Sequence, residues 1–95
     1  MLLDEPATFL DVEQQLQCFH MLRDEAAGGA ACIAVTHDIN LALTFCSRLI
    51  VLADRTVATD VPVDAAIEDS GWLRWFSPRL ELARTPAGRP WVYYA

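Results

Sequence analysis

Two carboxylates stand side by side at the end of the apolar run Met1-Leu2-Leu3-Asp4-Glu5, and Pro6 follows at once. His37 closes a second apolar run, Ala31 to Val35 followed by Thr36, and comes 32 residues after Glu5. In a parallel α/β sheet, ligands gather beyond the carboxyl ends of the strands, and all three side chains would lie there. Two carboxylates at such a place can divide labour. One holds a metal ion directly or through water, and the other orients or deprotonates an attacking water. Taken alone, the pair also reads as solvated residues capping the next turn. Cys32 or Cys46 with His37 or His20 is another arrangement capable of chemistry. Cys32 falls in a buried-strand pattern and Cys46 in a helix, where an inert small apolar residue is the default.

Local signals define the elements that must position these groups. Residues 1–3 read as the end of a buried strand. Asp11 is a good helix N-cap with Gln14 placed to complete a capping box, and Val12, Leu16, Phe19 and Ala26 share one face, so a helix is expected from about Val12 to Ala26. Gly28 and Gly29 end it, and the β-branched run from Ala31 to Val35 has the composition of a buried parallel strand. Strand, helix, strand is the βαβ order. Asp38 can cap a second helix through Cys46, Arg48 to Ala53 returns to strand composition, and Asp54-Arg55 turns the chain into a hairpin with Thr56 to Asp60. Pro62 can start a short helix through Ile67. Two strands, Arg79 to Thr85 and Trp91 to Ala95, follow around the turn Pro86 to Pro90. A composition shift near Thr59 marks a boundary between residues 1–59, an α/β part, and residues 60–95, a small α+β extension.

Composition limits the possible functions. The 95 residues are 54% hydrophobic, which argues against disorder, and carry a net charge of -6. Residues 1–46 hold seven acids and one arginine, whereas residues 47–95 hold six of each, so the negative charge is concentrated beside the carboxylate pair. Nothing in this balance points to nucleic acid. Three cysteines without CxxC spacing indicate neither a disulfide framework nor a zinc site, which fits a reducing, cytosolic setting. No basic segment with an apolar run opens the chain and no stretch is long enough to cross a bilayer.

Three motifs in order are more specific than any one of them. Leu2-Leu3-Asp4-Glu5-Pro6, then Ala7-Thr8-Phe9-Leu10-Asp11, then Val35-Thr36-His37-Asp38 resemble the Walker B strand end, the D-loop and the switch histidine of the ATP-binding cassette (ABC) ATPases. The resemblance implies part of a P-loop NTPase core with parallel strands and flanking helices. It implies that Asp4 helps hold Mg²⁺ and binds nucleotide, that Glu5 polarises the water attacking the γ-phosphate of ATP, and that Asp11 communicates across a dimer with the opposite nucleotide site. It also implies that His37 contacts the γ-phosphate and links it to the base. Thr36 to Val57 resembles most the ATPases of importers for iron-siderophore, haem and cobalamin. It departs from them at Arg55 and Asp60, where glycine is usual. The implied partners are a second ATPase subunit, transmembrane permease subunits and, indirectly, a periplasmic or extracellular binding protein. The implied location is cytoplasmic, peripheral on the inner face of the cell membrane.

The chain contains no lysine, no GxxxxGK[ST] loop and no LSGGQ-like signature. Most affinity for a triphosphate comes from the P-loop amides and lysine, so the 95 residues alone are expected to bind ATP very weakly and to be inactive. A fragment, a truncated gene product and a start placed at an internal methionine are the alternatives. Apolar faces are expected to lack cover, with Phe9, Phe19 and Leu22 exposed unless another chain covers them. The rival from another class is a non-catalytic remnant or interaction module. In that reading Trp72, Trp75, Phe76, Trp91, Tyr93 and Tyr94 form a binding patch, although aromatic residues so spaced are more often core.

Overall fold

The computed structural model describes residues 1–5 and 9–94. Pro6, Ala7 and Thr8, which span the junction of the first two motifs, lie outside the described residues, as does Ala95. The chain is mixed α/β: β1 (Leu2–Asp4), α1 (Val12–Ala27), β2 (Ile33–Val35), α2 (Ile39–Phe45), β3 (Arg48–Ala53), β4 (Thr56–Pro62), α3 (Val63–Glu68), a 3-10 helix (Ser70–Trp75), β5 (Leu80–Arg84) and β6 (Pro90–Tyr94). Among the described residues the strands form three separate pairs, and only β1 with β2 is parallel. The parallel part of the expected core is therefore one two-stranded pair. β3–β4 and β5–β6 are antiparallel hairpins.

Helix α1 begins where its side chains can satisfy its free amides. Asp11 accepts from the Gln14 amide at 2.8 Å and Gln14 Oε1 accepts from the Asp11 amide at 3.3 Å, closing the capping box. Its far end stops at Gly28 and Gly29, where Gly29 takes φ 104°, a backbone conformation open to glycine and strained for other residues. Phe19 and Leu22 are buried, against the expectation of exposure. The cover comes from within the chain, because α1 packs on α2 and the Phe19 ring lies 5.7 Å from that of Phe45. Phe9 is 98% exposed, as expected.

The main core lies after residue 40. Leu43 of α2, Val51 of β3, Val63 and Ala66 of α3, Trp72 and Leu73 of the 3-10 helix and Val92 of β6 form one buried cluster. Residues on both sides of Thr59 contribute to it, and β4 itself crosses that position. Trp72 belongs to this core, whereas Trp75, Phe76, Trp91, Tyr93 and Tyr94 are exposed. The six-residue aromatic patch of the rival reading thus loses Trp72 to the core, where aromatic residues so spaced more often lie. On β1 and β2, Leu2, Ile33 and Val35 are exposed, as expected of a parallel pair with apolar faces uncovered.

Both departures from the family text lie in the β3–β4 hairpin. Ala53 pairs with Thr56 across a two-residue loop in which Asp54 has φ 51° and Arg55 φ 63°. Positive φ at both central residues is the type I′ turn, so the turn is of the glycine-favouring kind despite the arginine. Replacing Arg55 with glycine removes a left-handed penalty of about 1 kcal/mol. The R55G chain is expected to show a higher urea midpoint at unchanged m-value, and an equal or lower midpoint would show that Arg55 carries no strain. Asp60, the second departure, accepts from Arg48 Nε at 2.6 Å across the same hairpin. Both side chains are largely solvated, so the pair stabilises little.

Candidate functional site

The parallel register fixes the site. Leu2, Leu3 and Asp4 lie opposite Ile33, Ala34 and Val35, so Asp4 ends β1 at the level where β2 ends. Thr36 and His37 follow directly. The Glu5 amide continues the ladder by donating to Val35 O at 2.7 Å, although Glu5 has left the strand with φ 51°. A non-glycine residue in this region is uncommon and stores strain on the order of 1–3 kcal/mol, a feature that gathers at functional sites. The bend swings the Glu5 side chain toward the end of β2. His37 Nε2 lies 3.2 Å from Glu5 Oε1. Asp4, Glu5 and His37 therefore share one end of the parallel pair, as the βαβ order requires.

The environments of the two partners differ. The His37 side chain is 94% exposed and that of Glu5 32% exposed. Packing therefore does little to hold the imidazole, and its place is set by the backbone turn that carries it. That turn is tied at Asp38, whose amide donates to Thr36 Oγ1 at 3.0 Å and whose carboxylate caps α2 by accepting from the Leu41 amide at 3.0 Å. Asp11 stands apart from this group in its contacts: its carboxylate is engaged in capping α1. An open groove of about 590 Å³ has His37, Asp38, Phe76, Tyr93 and Tyr94 in its lining.

Among the described residues, no group of three or more His, Cys, Asp or Glu side chains is arranged to hold a metal ion. Asp4 is exposed at the strand end and offers one carboxylate. Such a donor fits a hydrated Mg²⁺, which keeps several waters and takes one or two carboxylates together with substrate phosphates. It does not make a closed all-protein site. The cysteine arrangement finds less support. Burial pushes the Cys46 thiol above its ordinary pKa, which disfavours the reactive thiolate. Tyr93 donates to Glu81 Oε2 at 3.0 Å, and this hydrogen bond, with the Glu81 charge, raises its phenol pKa.

Sequence reasoning missed Asn40. In the apolar helix Ile39–Phe45 it is the one amide side chain, and it bonds both to the N–H and to the C=O of Val92. The available signal was an amide in an otherwise apolar helix, which says that a polar partner exists and not where.

No family model matches the chain. The curated proteins it resembles agree closely with one another. It is 36% identical over 92 residues to the hemin import ATP-binding protein HmuV of Rhodopseudomonas palustris (strain HaA2), covering 97% of this chain and 35% of that protein. Against the HmuV of Rhizobium etli it is 32% identical over 93 residues, with 97% and 35% covered. Against that of Bradyrhizobium diazoefficiens it is 44% identical over 62 residues, 65% of this chain and 23% of the relative. These matches relate the chain to the ABC ATPases. The relatives named above are ATP-binding proteins of the haem importer group. It spans about a third of the length of the relatives it matches over most of its own length.

Proposed function

We propose that residues 1–59 are the C-terminal part of an ABC ATPase core, carrying its hydrolytic half-site, and that residues 60–95 are a small extension. The ATPase would drive a transporter, with haem import the reading favoured by the names of the relatives. The observation that carries this is the Glu5–His37 contact of 3.2 Å at the carboxyl end of the only parallel pair among the described residues.

In this reading Asp4 would hold a hydrated Mg²⁺, which would supply positive charge to offset that of the substrate phosphates. The Glu5 carboxylate accepts a hydrogen bond from the attacking water and takes up its proton as the new oxygen–phosphorus bond forms and the bond from the γ-phosphorus to the β-phosphate oxygen breaks, releasing ADP. Its left-handed backbone aims the carboxylate past the strand end rather than along it. His37 lies within hydrogen-bonding range of Glu5 and, being exposed, is also free to meet an incoming γ-phosphate. One group thereby links the base to the phosphate it serves. Asp11 would serve the contact with the opposite site in a dimer. Its carboxylate and both of its backbone groups are already engaged in starting α1, so that contact would fall to the adjoining residues. A second ATPase subunit, permease subunits, an indirect extracytoplasmic binding protein and a place on the inner face of the membrane complete the proposal. No helix among the described residues is long and apolar enough to cross a membrane.

The test joins this segment to the N-terminal part of an HmuV relative, so that phosphate-binding elements are supplied, and follows ATP affinity and turnover. His37→Ala is expected to keep affinity within about threefold and to lower turnover by about 10²-fold, on the scale of lost positioning at a reacting centre. Asp4→Asn is expected instead to raise the Mg²⁺ concentration needed for half-maximal rate, because its carboxylate serves the cation. If both variants behave as the parent, the hydrolytic assignment of this strand end fails.

A further inference from the structure

The side chain of Asn40 ties α2 to the last strand of the chain. Its Nδ2 donates to Val92 O at 3.1 Å and its Oδ1 accepts from Val92 N at 2.8 Å, across 52 residues. In the β5–β6 hairpin Val92 lies opposite Leu82. Residues opposite one another in an antiparallel ladder alternate between bonded and unbonded pairs, and both Val92 backbone groups point away from β5. Pro90 occupies the equivalent outward position two residues earlier, where its missing N–H costs the ladder nothing. The amide of Asn40 therefore completes the outer edge of β6 as a further strand would. The contact is half-buried, and Val92 itself is anchored in the main core.

The other end of this clamp is the first turn of α2, and His37 directly precedes the Asp38 cap of that turn. Asp38 O accepts from the Ala42 amide, the Asp38 carboxylate caps the helix, and the Asp38 amide holds Thr36 Oγ1, with His37 between them. His37 is too exposed for packing to fix it, so the position of its backbone decides where the ring meets Glu5. We infer that Asn40 is a positioning residue: by clamping α2 to β6 it sets the His37 turn against Glu5, so the C-terminal hairpin governs the geometry of the hydrolytic pair. The inference rests on the function proposed for Glu5 and His37, but the contact it predicts exists whether or not that function holds.

The experiment reads the contact without nucleotide, by NMR on the 95-residue chain. In Asn40→Ala the Val92 amide is expected to exchange about tenfold faster, the scale of one lost hydrogen bond. The His37 ring signals should shift and the ring-to-Glu5 nuclear Overhauser contact should weaken, while the Leu80–Tyr94 cross-strand contacts persist. Thr44→Val, which removes a hydroxyl bond to Asn40 O within α2 and leaves both Asn40 side-chain bonds to Val92 in place, should leave the His37 signals unmoved. Asn40→Asp keeps the acceptor for Val92 N–H and loses the donor to Val92 O. It supplies the same readings if the alanine variant does not fold. Faster Val92 exchange with His37 signals unmoved overturns the inference, as does unchanged Val92 exchange. A failure of the catalytic reading would appear elsewhere, in the turnover of the Glu5 variant of the joined domain.

Discussion

Glu5→Gln in the joined ATPase domain is expected to keep ATP affinity and to lower hydrolysis by about 10²-fold or more, the usual scale for losing a general base. Glutamine matches glutamate in shape and keeps an oxygen at the same reach, so the 3.2 Å approach of His37 is retained. The backbone cost is unchanged too, since either residue meets the same penalty at φ 51°. What disappears is the capacity to take a proton from water. The variant should therefore bind nucleotide like the parent, in the presence of Mg²⁺, and accumulate the bound triphosphate state. In the 95-residue chain, where lysine and a glycine-rich phosphate loop are missing from the sequence, neither the parent nor the Glu5→Gln variant should support measurable turnover. Hydrolysis at the parent rate in the joined domain would return the carboxylate pair to the role of a solvated cap.

Trp72→Ala is expected to destabilise the chain by about 3–5 kcal/mol, the range for removing a buried large aromatic side chain. Trp72 is 5% exposed at the centre of the main cluster, and its indole Nε1 donates to Ala66 O at 2.9 Å. Alanine leaves a cavity between α3 and the 3-10 helix and leaves that carbonyl without its donor. Phe76, edge-on to the indole at 6.2 Å, loses its partner as well. Small domains have about 5–15 kcal/mol in total, so a large share of the margin goes. Because Val92 shares the cluster, the β5–β6 hairpin should loosen together with it. Trp75→Ala is the control: Trp75 is 42% exposed and stacks with Arg74 at the surface, so it should cost under about 1 kcal/mol. Urea melts followed by far-UV circular dichroism compare the two without depending on tryptophan emission. Equal midpoints for both variants would place the core elsewhere.

What could be read locally was read from the chain itself. Asp11 with Gln14 gave the start of α1 to the residue, Gly28-Gly29 its end within one, and Asp38 the start of α2, because caps act over three or four neighbouring residues. The order of strand, helix and strand was enough to put Asp4 and His37 at one end of a parallel pair, since that geometry follows from connectivity. The strand expected from Ala31 to Val35 proved to be Ile33–Val35, because only that stretch has a partner on β1.

Tertiary structure decided the matters that depend on residues far away in sequence. Phe19 and Leu22 looked exposed because their cover, α2, is packed against them only in the folded chain. Trp72 was drawn from a would-be surface patch into the core by Ala66, Leu43 and Val92, which no local pattern assembles. Arg55 sits in a left-handed turn that its own preference opposes, because pairing of β3 with β4 outweighs one strained residue. The bend at Glu5 and the Asn40 bridge to Val92 have the same origin. A sequence names the groups able to do chemistry and the helices that carry them. The distance between Glu5 and His37, and the hairpin that braces it, come from hydrogen bonds and packing between segments that meet only once the chain has closed on itself.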